Sequence, residues 1–275
     1  MTDHDLRFRG EVRRNEALTP VMRRIVLGGP GLAGFASSGY ADEWLRLQIP
    51  AEPEPVDRWY TVRRWDADAG ELTVDVVIHA HGAATRWAET AAPGAVIALS
   101  APAGRYAPPP DCAWQLIIAD QTGLPAAGRI LEELAPGQRA YAVVEAPDPA
   151  ATVALTSPGE VEVHWVFNPA PDRIASPLAA TARSFPVPDG PGYVWMAGEA
   201  SCSRDIRRHF RHELGWRSRS YDIVGYWRPD SERYLERYRA IEDEVAAIWD
   251  RGEARGEDTE AIADEIYAVM ESHGL

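Results

Sequence analysis

The run Arg58-Trp59-Tyr60-Thr61-Val62-Arg63 sets an aromatic ring and a hydroxyl between two fixed positive charges. Alternation along a strand puts Arg58, Tyr60 and Val62 on one face and Trp59, Thr61 and Arg63 on the other. A ligand gripped by Arg58 then also meets the Tyr60 ring. The guanidinium can fork onto a phosphate, the phenol can lie on a flat heterocycle, and a strand-edge hydroxyl or amide can bond that heterocycle's polar rim. This combination suits a flavin dinucleotide. The same hexapeptide also reads as a half-buried strand with solvated arginines, so other segments must decide.

The chain from Asp75 to Trp87 runs through His79 and His81, turns at Gly82, and continues with Ala83, Ala84 and Thr85. A strand feeding a glycine turn and then small residues at a helix start leaves unpaired amides at the positive end of the helix dipole, a seat for a pyrophosphate. His79 can add a hydrogen bond to such a ligand or be an ordinary strand histidine. His79 and His81 share a face at metal-ligand spacing, but no third ligand lies nearby, so no metal site is expected.

Asp120-Gln121-Thr122-Gly123 and Gly198-Glu199-Ala200 each follow an apolar strand, where an open parallel sheet presents its crevice. Downstream, Arg204, Arg208 and Arg211 fall at spacings of four and three along a helical pattern. They form either a seat for nucleotide phosphates or a solvated helix surface. Gly29-Pro30-Gly31-Leu32-Ala33-Gly34 matches the dinucleotide fingerprint literally, yet no helical pattern begins there, and it reads as a loop.

The elements needed to position these residues are legible from hydrophobic period and turn chemistry. Runs at 6–14, 22–27, 44–49, 58–65, 72–80 and 96–100, interrupted by a helix at 83–91, predict a six-stranded antiparallel barrel over residues 1–106. Pro108-Pro109-Pro110 is a stiff linker. Strand 114–119, helix 126–134 and strand 140–144 describe a parallel unit. The alternation repeats through 161–167, 178–184, 193–197 and 204–214, which predicts a doubly wound α/β domain over 112–230. Residues 231–275 carry helical spacing at Tyr234, Leu235, Tyr238, Ile241, Val245 and Ile248, and again at Ile262, Ile266, Val269 and Met270, with Gly252 and Gly256 separating two helices. This extension is expected to serve packing or dimerisation.

The 275 residues carry a net charge of −14, which argues against a nucleic-acid binder. No apolar run reaches membrane-spanning length and the polar start Met1-Thr2-Asp3-His4-Asp5 lacks a signal core, so no membrane insertion and cytoplasmic residence are expected. Cys112 and Cys202 cannot supply the four thiolates of an iron–sulfur cluster, so an electron carrier must be organic. There is no lysine, which excludes a Gly-Lys phosphate loop and a Schiff-base lysine.

Taken in order, Gly29-Pro30-Gly31-Leu32, Arg58-x-Tyr60-Thr61-x-Arg63, His79 with Gly82-x-Ala84-Thr85-x-Trp87-Ala88, Asp120-x-Thr122-x-Leu124-Pro125, Gly198-Glu199-Ala200 and Gly225-Tyr226-Trp227-Arg228 resemble the siderophore-interacting proteins, flavin-dependent ferric-siderophore reductases related to ferredoxin reductases. The resemblance implies FAD in the barrel, NAD(P)H at the second domain and a ferric siderophore near the flavin. It implies that Arg58 holds the diphosphate, Tyr60 flanks the isoalloxazine, Thr61 bonds its polar edge, and Gly82, Ala83, Ala84 and Thr85 cradle phosphates, with Arg63, His79 and Trp87 in the same site. Asp120, Thr122, Gly198 and Glu199 would line the nicotinamide side, and Arg204, Arg208, Tyr226 and Arg228 would meet the anionic iron complex. Gln121 stands where the family usually has glutamate, Gly123 where alanine is common, and Ala83 where proline is usual. A general flavoprotein electron-transfer reductase and a non-enzymatic flavin or siderophore carrier are the competing classes. Oligomeric state is not expected to be readable.

Overall fold

The structure, a computed structural model, describes residues 5–79, 82–171, 173–229, 234 and 237–275. It divides into two compact units, Met1–Tyr226 and Trp227–Leu275.

The first unit opens with β1 (Phe8–Thr19), β2 (Met22–Gly28), β3 (Trp44–Ile49), β4 (Val56–Thr61), β5 (Arg64–Asp66), β6 (Glu71–Val77), α1 (Ala83–Thr90) and β7 (Val96–Leu99). They form a sheet in the order β4-β3-β7-β1-β2-β6-β5. Period-two alternation sends Ile25 and Leu27, Leu45, Leu47 and Ile49, and Leu72, Val74 and Val76 into one core, closed at one end by Trp87 and Ala88 of α1. There are seven strands rather than the expected six, because the run 58–65 breaks after Thr61. The Val62 amide donates to the Glu43 carbonyl at 2.8 Å and the Arg63 amide to the Thr73 carbonyl at 2.9 Å. Val62 and Arg63 thus join β4 and β5, the two ends of the sheet order, and curl the sheet into a barrel. Strand-like alternation therefore stops at Thr61. Of the strand expected at 72–80, β6 ends at Val77, and Ala80 and His81 lie outside the described residues.

After the proline linker come β8 (Trp114–Ala119), α2 (Leu124–Glu132), β9 (Arg139–Ala146), β10 (Glu160–Phe167), α3 (Leu178–Ser184), β11 (Gly192–Glu199), α4 (Ala200–Arg208) and β12 (Tyr221–Trp227). The strand order is β10-β9-β8-β11-β12, with β10/β9, β9/β8 and β8/β11 parallel. Every residue of β8 is buried, as a central parallel strand covered on both faces must be. One core lies under α2 and a second under α3 and α4. Helix α2 starts at Leu124, two residues before the expected position, with Pro125 in its first turn and the Leu124 amide donating to the Asp120 backbone carbonyl at 2.9 Å. Helix α4 starts at Ala200 rather than Arg204 and passes into a π turn at His209–Glu213. The change of pitch means that Arg211 does not continue an α-helical stripe with Arg204 and Arg208.

Two consecutive buried acids tie the barrel to the parallel sheet. Asp42 Oδ1 accepts from the amides of Arg105 and Tyr106 at 2.9 Å, and its Oδ2 from Trp195 Nε1 at 3.3 Å. Glu43 accepts from Ser37 Oγ, from the Ser38 amide and hydroxyl, and from Arg129 Nη1 on α2 at 2.7 Å. Arg129 Nη1 also donates to the Val62 carbonyl at 2.9 Å, and its Nε to Glu133 at 2.6 Å. Asp42 is held by hydrogen bonds and Glu43 by hydrogen bonds and an ion pair, as burial of a carboxylate requires.

In the second unit, α5 (Glu242–Arg255) and α6 (Thr259–Ser272) enclose Ile241, Val245, Met270 and Leu275. Gly252 does not separate the helices: it lies within α5, where a Cβ would collide with Ile262 of α6. Gly256 alone ends α5, in the left-handed conformation of a C-terminal cap (φ 65°). Ser231 and Leu235 lie outside the described residues.

Candidate functional site

The register Leu45↔Tyr60 and Leu47↔Arg58 puts Tyr60 and Arg58 on the same face of the sheet as two core leucines. Tyr60 packs half-buried against the barrel core, and burial pushes its phenol up to about 12 against the pull of Arg58. Arg58 is exposed, with Nη1 donating to the neighbouring Asp57 carbonyl at 2.8 Å. Thr61 is 5 % exposed, and its Oγ1 is buried without a hydrogen-bond partner. The Tyr226 phenol lies alongside without closing that bond. Burial, reinforced by Asp42 and Asp222, pushes this phenol above its ordinary range, while Thr61 and Arg105 oppose the shift.

Helix α1 begins behind Gly82, whose φ of 135° is one that a side chain rarely adopts and whose Cβ direction is open space. No side chain caps the helix, so its first amides are without intrahelical acceptors. The Thr85 hydroxyl accepts from the His79 amide at 3.1 Å, which folds the loop back onto the helix. The His79 side chain is exposed, Ala83 and Ala84 pack half-buried on the barrel core, and Trp87 is a core residue at 7 % exposure that anchors α1.

An unpartnered buried hydroxyl, a half-buried phenol, an exposed arginine and an uncapped helix start all fit FAD. Arg58, Tyr60, Thr61 and the amides of 83–85 are the groups that would hold it. Arg63 does not join them. Its Nη1 donates to Glu132 of α2 at 2.7 Å, its Nη2 makes a second, short bond to the same carboxylate, and its Nε stands 4.0 Å from Asp75. The break in alternation at Thr61 redirects Arg63 from the expected ligand face to α2.

Across the linker, the turns after β8 and β11 abut. A Cβ on Gly123 would run into the Ala197 carbonyl, and one on Gly198 would meet Asp120 Oδ2 at 2.8 Å. Glycine at 123, where the family commonly has alanine, is thus dictated by close backbone approach. Asp120 Oδ1 accepts from the Thr122 amide (2.7 Å), the Thr122 hydroxyl (2.6 Å) and the Gly123 amide (3.3 Å). Glu199 caps α4, accepting from the amides of Ser201 (2.8 Å) and Cys202 (2.9 Å). Asp120, Thr122 and Glu199 therefore hold the crevice's own backbone. Sequence reasoning missed Glu145 at the end of β9. It is buried and bonded through Oε1 to Asn168 Nδ2 (2.9 Å) and through Oε2 to Ser176 Oγ. Gln121 Nε2 donates to the Glu145 carbonyl at 2.9 Å.

Arg204 is half-buried on α4, and Arg208 Nη1 lies 3.4 Å from Asp205 Oδ1. Within the second unit, the Arg228 guanidinium carbon sits 4.0 Å over the Tyr234 ring.

Residues 11–54 and 47–106 match the siderophore-interacting FAD-binding domain, and residues 112–230 match the siderophore-interacting protein domain. The NADPH-dependent ferric-chelate reductase of Escherichia coli is 31% identical over 233 residues, covering 76% of this chain and 89% of that protein. The chain belongs to the siderophore-interacting protein family. Another relative of this family member, an uncharacterised Mycobacterium tuberculosis protein, is 33% identical over 272 residues, covering 86% of this chain and 94% of its own. The crystal structure of a siderophore utilization protein from T. fusca superposes with a TM-score of 0.72 at 32% identity, over 81% of this chain and 92% of that one. The flavin-dependent family assignment agrees with the barrel-plus-parallel-sheet fold. Among the described residues no helix is long and apolar enough to cross a membrane.

Proposed function

We propose that this chain reduces ferric siderophores, taking electrons from a nicotinamide dinucleotide through FAD and releasing ferrous iron. The observation that carries this is the buried Thr61 hydroxyl, which has no hydrogen-bond partner, on the same strand as Tyr60 and Arg58. FAD, when bound, accepts a hydride from one donor and passes electrons singly to an iron complex.

The residues supply binding and exclusion. Arg58 and the α1 amides neutralise phosphate charge. Tyr60 covers one side of a flat ring, and Tyr226 stands beside Thr61. The ferric chelate is substrate: hard oxygen ligands hold Fe(III) better than Fe(II), so one-electron reduction loosens the complex without any protein ligand to the metal. Arg204 and Arg208 are the proposed contacts for the anionic chelate. Residues 1–106 are the proposed flavin domain, 112–230 the nicotinamide domain and 231–275 an accessory extension, in a protein working in the cytoplasm.

The purified protein is expected to be yellow, to bleach with a reduced nicotinamide under anaerobic conditions, and to regain colour with a ferric siderophore. A preparation that stays colourless after incubation with excess FAD would contradict this function.

A further inference from the structure

Strand β10 is an outer strand of the parallel sheet, paired with β9 along one side. The pairing runs unbroken from Glu160↔Arg139 to Phe167↔Ala146. The Glu160 amide donates to the Gln138 carbonyl and the Asn168 amide to the Ala146 carbonyl, so the even-numbered amides of the strand face β9. Those of Val161, Val163, Trp165 and Phe167 point away from the sheet. Among the described residues no acceptor meets them.

Folded proteins ordinarily blunt such an edge with a proline, a charge, a bulge or a covering segment. The strand Glu160-Val161-Glu162-Val163-His164-Trp165-Val166-Phe167 contains no proline, and no bulge interrupts it. Val163 and Phe167 stand 40 % and 49 % exposed, on the same face as the half-buried Val161 and Trp165.

The strand is also complementary to itself. An antiparallel neighbour must set outward residues against outward residues, and the two registers that overlap the strand most fully place a two-fold axis at Val163 or at His164. The axis at Val163 sets Val163 against its own copy, Val161 against Trp165 and Glu162 against His164. An apolar row then forms on one face, and on the other each acid faces an imidazole. The axis at His164 instead sets two imidazoles directly opposite each other and Glu162 against Val166. Apolar and acid–base pairs stabilise a sheet where like groups set opposite do not, so the first register is the favoured one.

We propose that a second copy of this chain adds to the open edge of β10, antiparallel and with the axis at Val163, joining two five-stranded sheets into one. Antiparallel pairing points the strand ends that carry the Asp120 and Glu199 turns in opposite directions in the two copies. Each copy keeps its own barrel and crevice, and the association stands independently of the reductase function.

The test is sedimentation velocity of the full chain over about 1–100 µM, which should show a monomer–dimer equilibrium. Val163→Pro removes the outward amide at the axis and leaves the ladder to β9 intact, a change that edge strands accept. It should weaken the dimer at least about tenfold. Val163→Lys should do the same by setting like charges opposite each other, without altering the backbone. On mild oxidation Val163→Cys should form an interchain disulfide, because the Cα atoms of a hydrogen-bonded antiparallel pair lie about 5.5 Å apart. His164→Cys should not, and the parent chain with Cys112 and Cys202 is the control. FAD content should match the parent in every variant. A chain that stays monomeric at about 100 µM overturns the proposal. So does a dimer that neither Val163→Pro nor Val163→Lys weakens, and so does cross-linking through His164→Cys in preference to Val163→Cys.

Discussion

Arg129 Nη1 stands 2.7 Å from Glu43 Oε1, with 11 % of one side chain and none of the other exposed. The pair joins α2 to the barrel, and Glu43 accepts from Ser37 and Ser38 as well. Removing one partner strands a buried charge, which typically costs about 3–5 kcal/mol. Arg129→Leu should lower the unfolding free energy by that amount in urea titrations, a far larger loss than Arg255→Leu at an exposed pair.

Thr61→Val replaces the unpartnered buried hydroxyl with a methyl of similar shape. Stability of the FAD-free protein should hold or rise, because an unsatisfied polar atom is removed. FAD affinity should fall by about 1 kcal/mol, roughly fivefold, the net value of one hydrogen bond. Flavin fluorescence titration measures it; unchanged affinity would move the flavin edge away from Thr61.

The two arginines of the tract should part company. Arg58→Ala should weaken FAD retention by about 1.5–3 kcal/mol, the value of a charge-assisted contact. Arg63→Ala should leave FAD occupancy intact and instead lower stability, since its guanidinium serves Glu132. Flavin-to-protein absorbance ratios after gel filtration distinguish the two.

Gly123→Ala drives a methyl into the Ala197 carbonyl. The turn must shift away from β11, at about 1–3 kcal/mol as for other overpacked sites. Thermal unfolding should register the loss, and hydride transfer from the nicotinamide should slow while FAD stays bound.

Burial, the first cause, raises the Glu145 carboxyl above the ordinary glutamate range, with Asp120 and Glu199 adding to it and Ser176 and Asn168 opposing. An acid raised in the folded state binds more protons there than in the unfolded chain. Stability from this group is therefore fully present below the ordinary glutamate pKa and lost as pH rises through the raised value. Glu145→Gln should abolish that slope and be more stable than the parent at neutral pH, as read from urea midpoints across a pH series.

The residues proposed to hold the flavin can be named from sequence because their chemistry is local: Arg58, Tyr60 and Thr61 sit within four residues, and Gly82 announces the helix start. Arg63 was misplaced because alternation presumes one continuous strand, and the chain jumps there between the two ends of a closing sheet. Asp120 and Glu199 were recognised as crevice residues, but not the turn that Asp120 holds or the cap that Glu199 gives α4, although an acid followed two residues later by Thr122 or Ser201 carries that signal. Asp42 and Glu43 gave no local sign at all. Their partners Trp195 and Arg129 lie 153 and 86 positions away, and only the folded topology brings them together.

That the two acids are neighbours has a consequence for electron flow. A single peptide link carries the anchorage of the parallel sheet on one side and of α2 on the other, so the halves cannot swing about it independently. The spacing between a bound nicotinamide and the flavin would then depend on this frame, and a misplacement of even about 1 Å can cost about a hundredfold in rate. Damage at this remote joint should register as slow chemistry before it registers as lost cofactor.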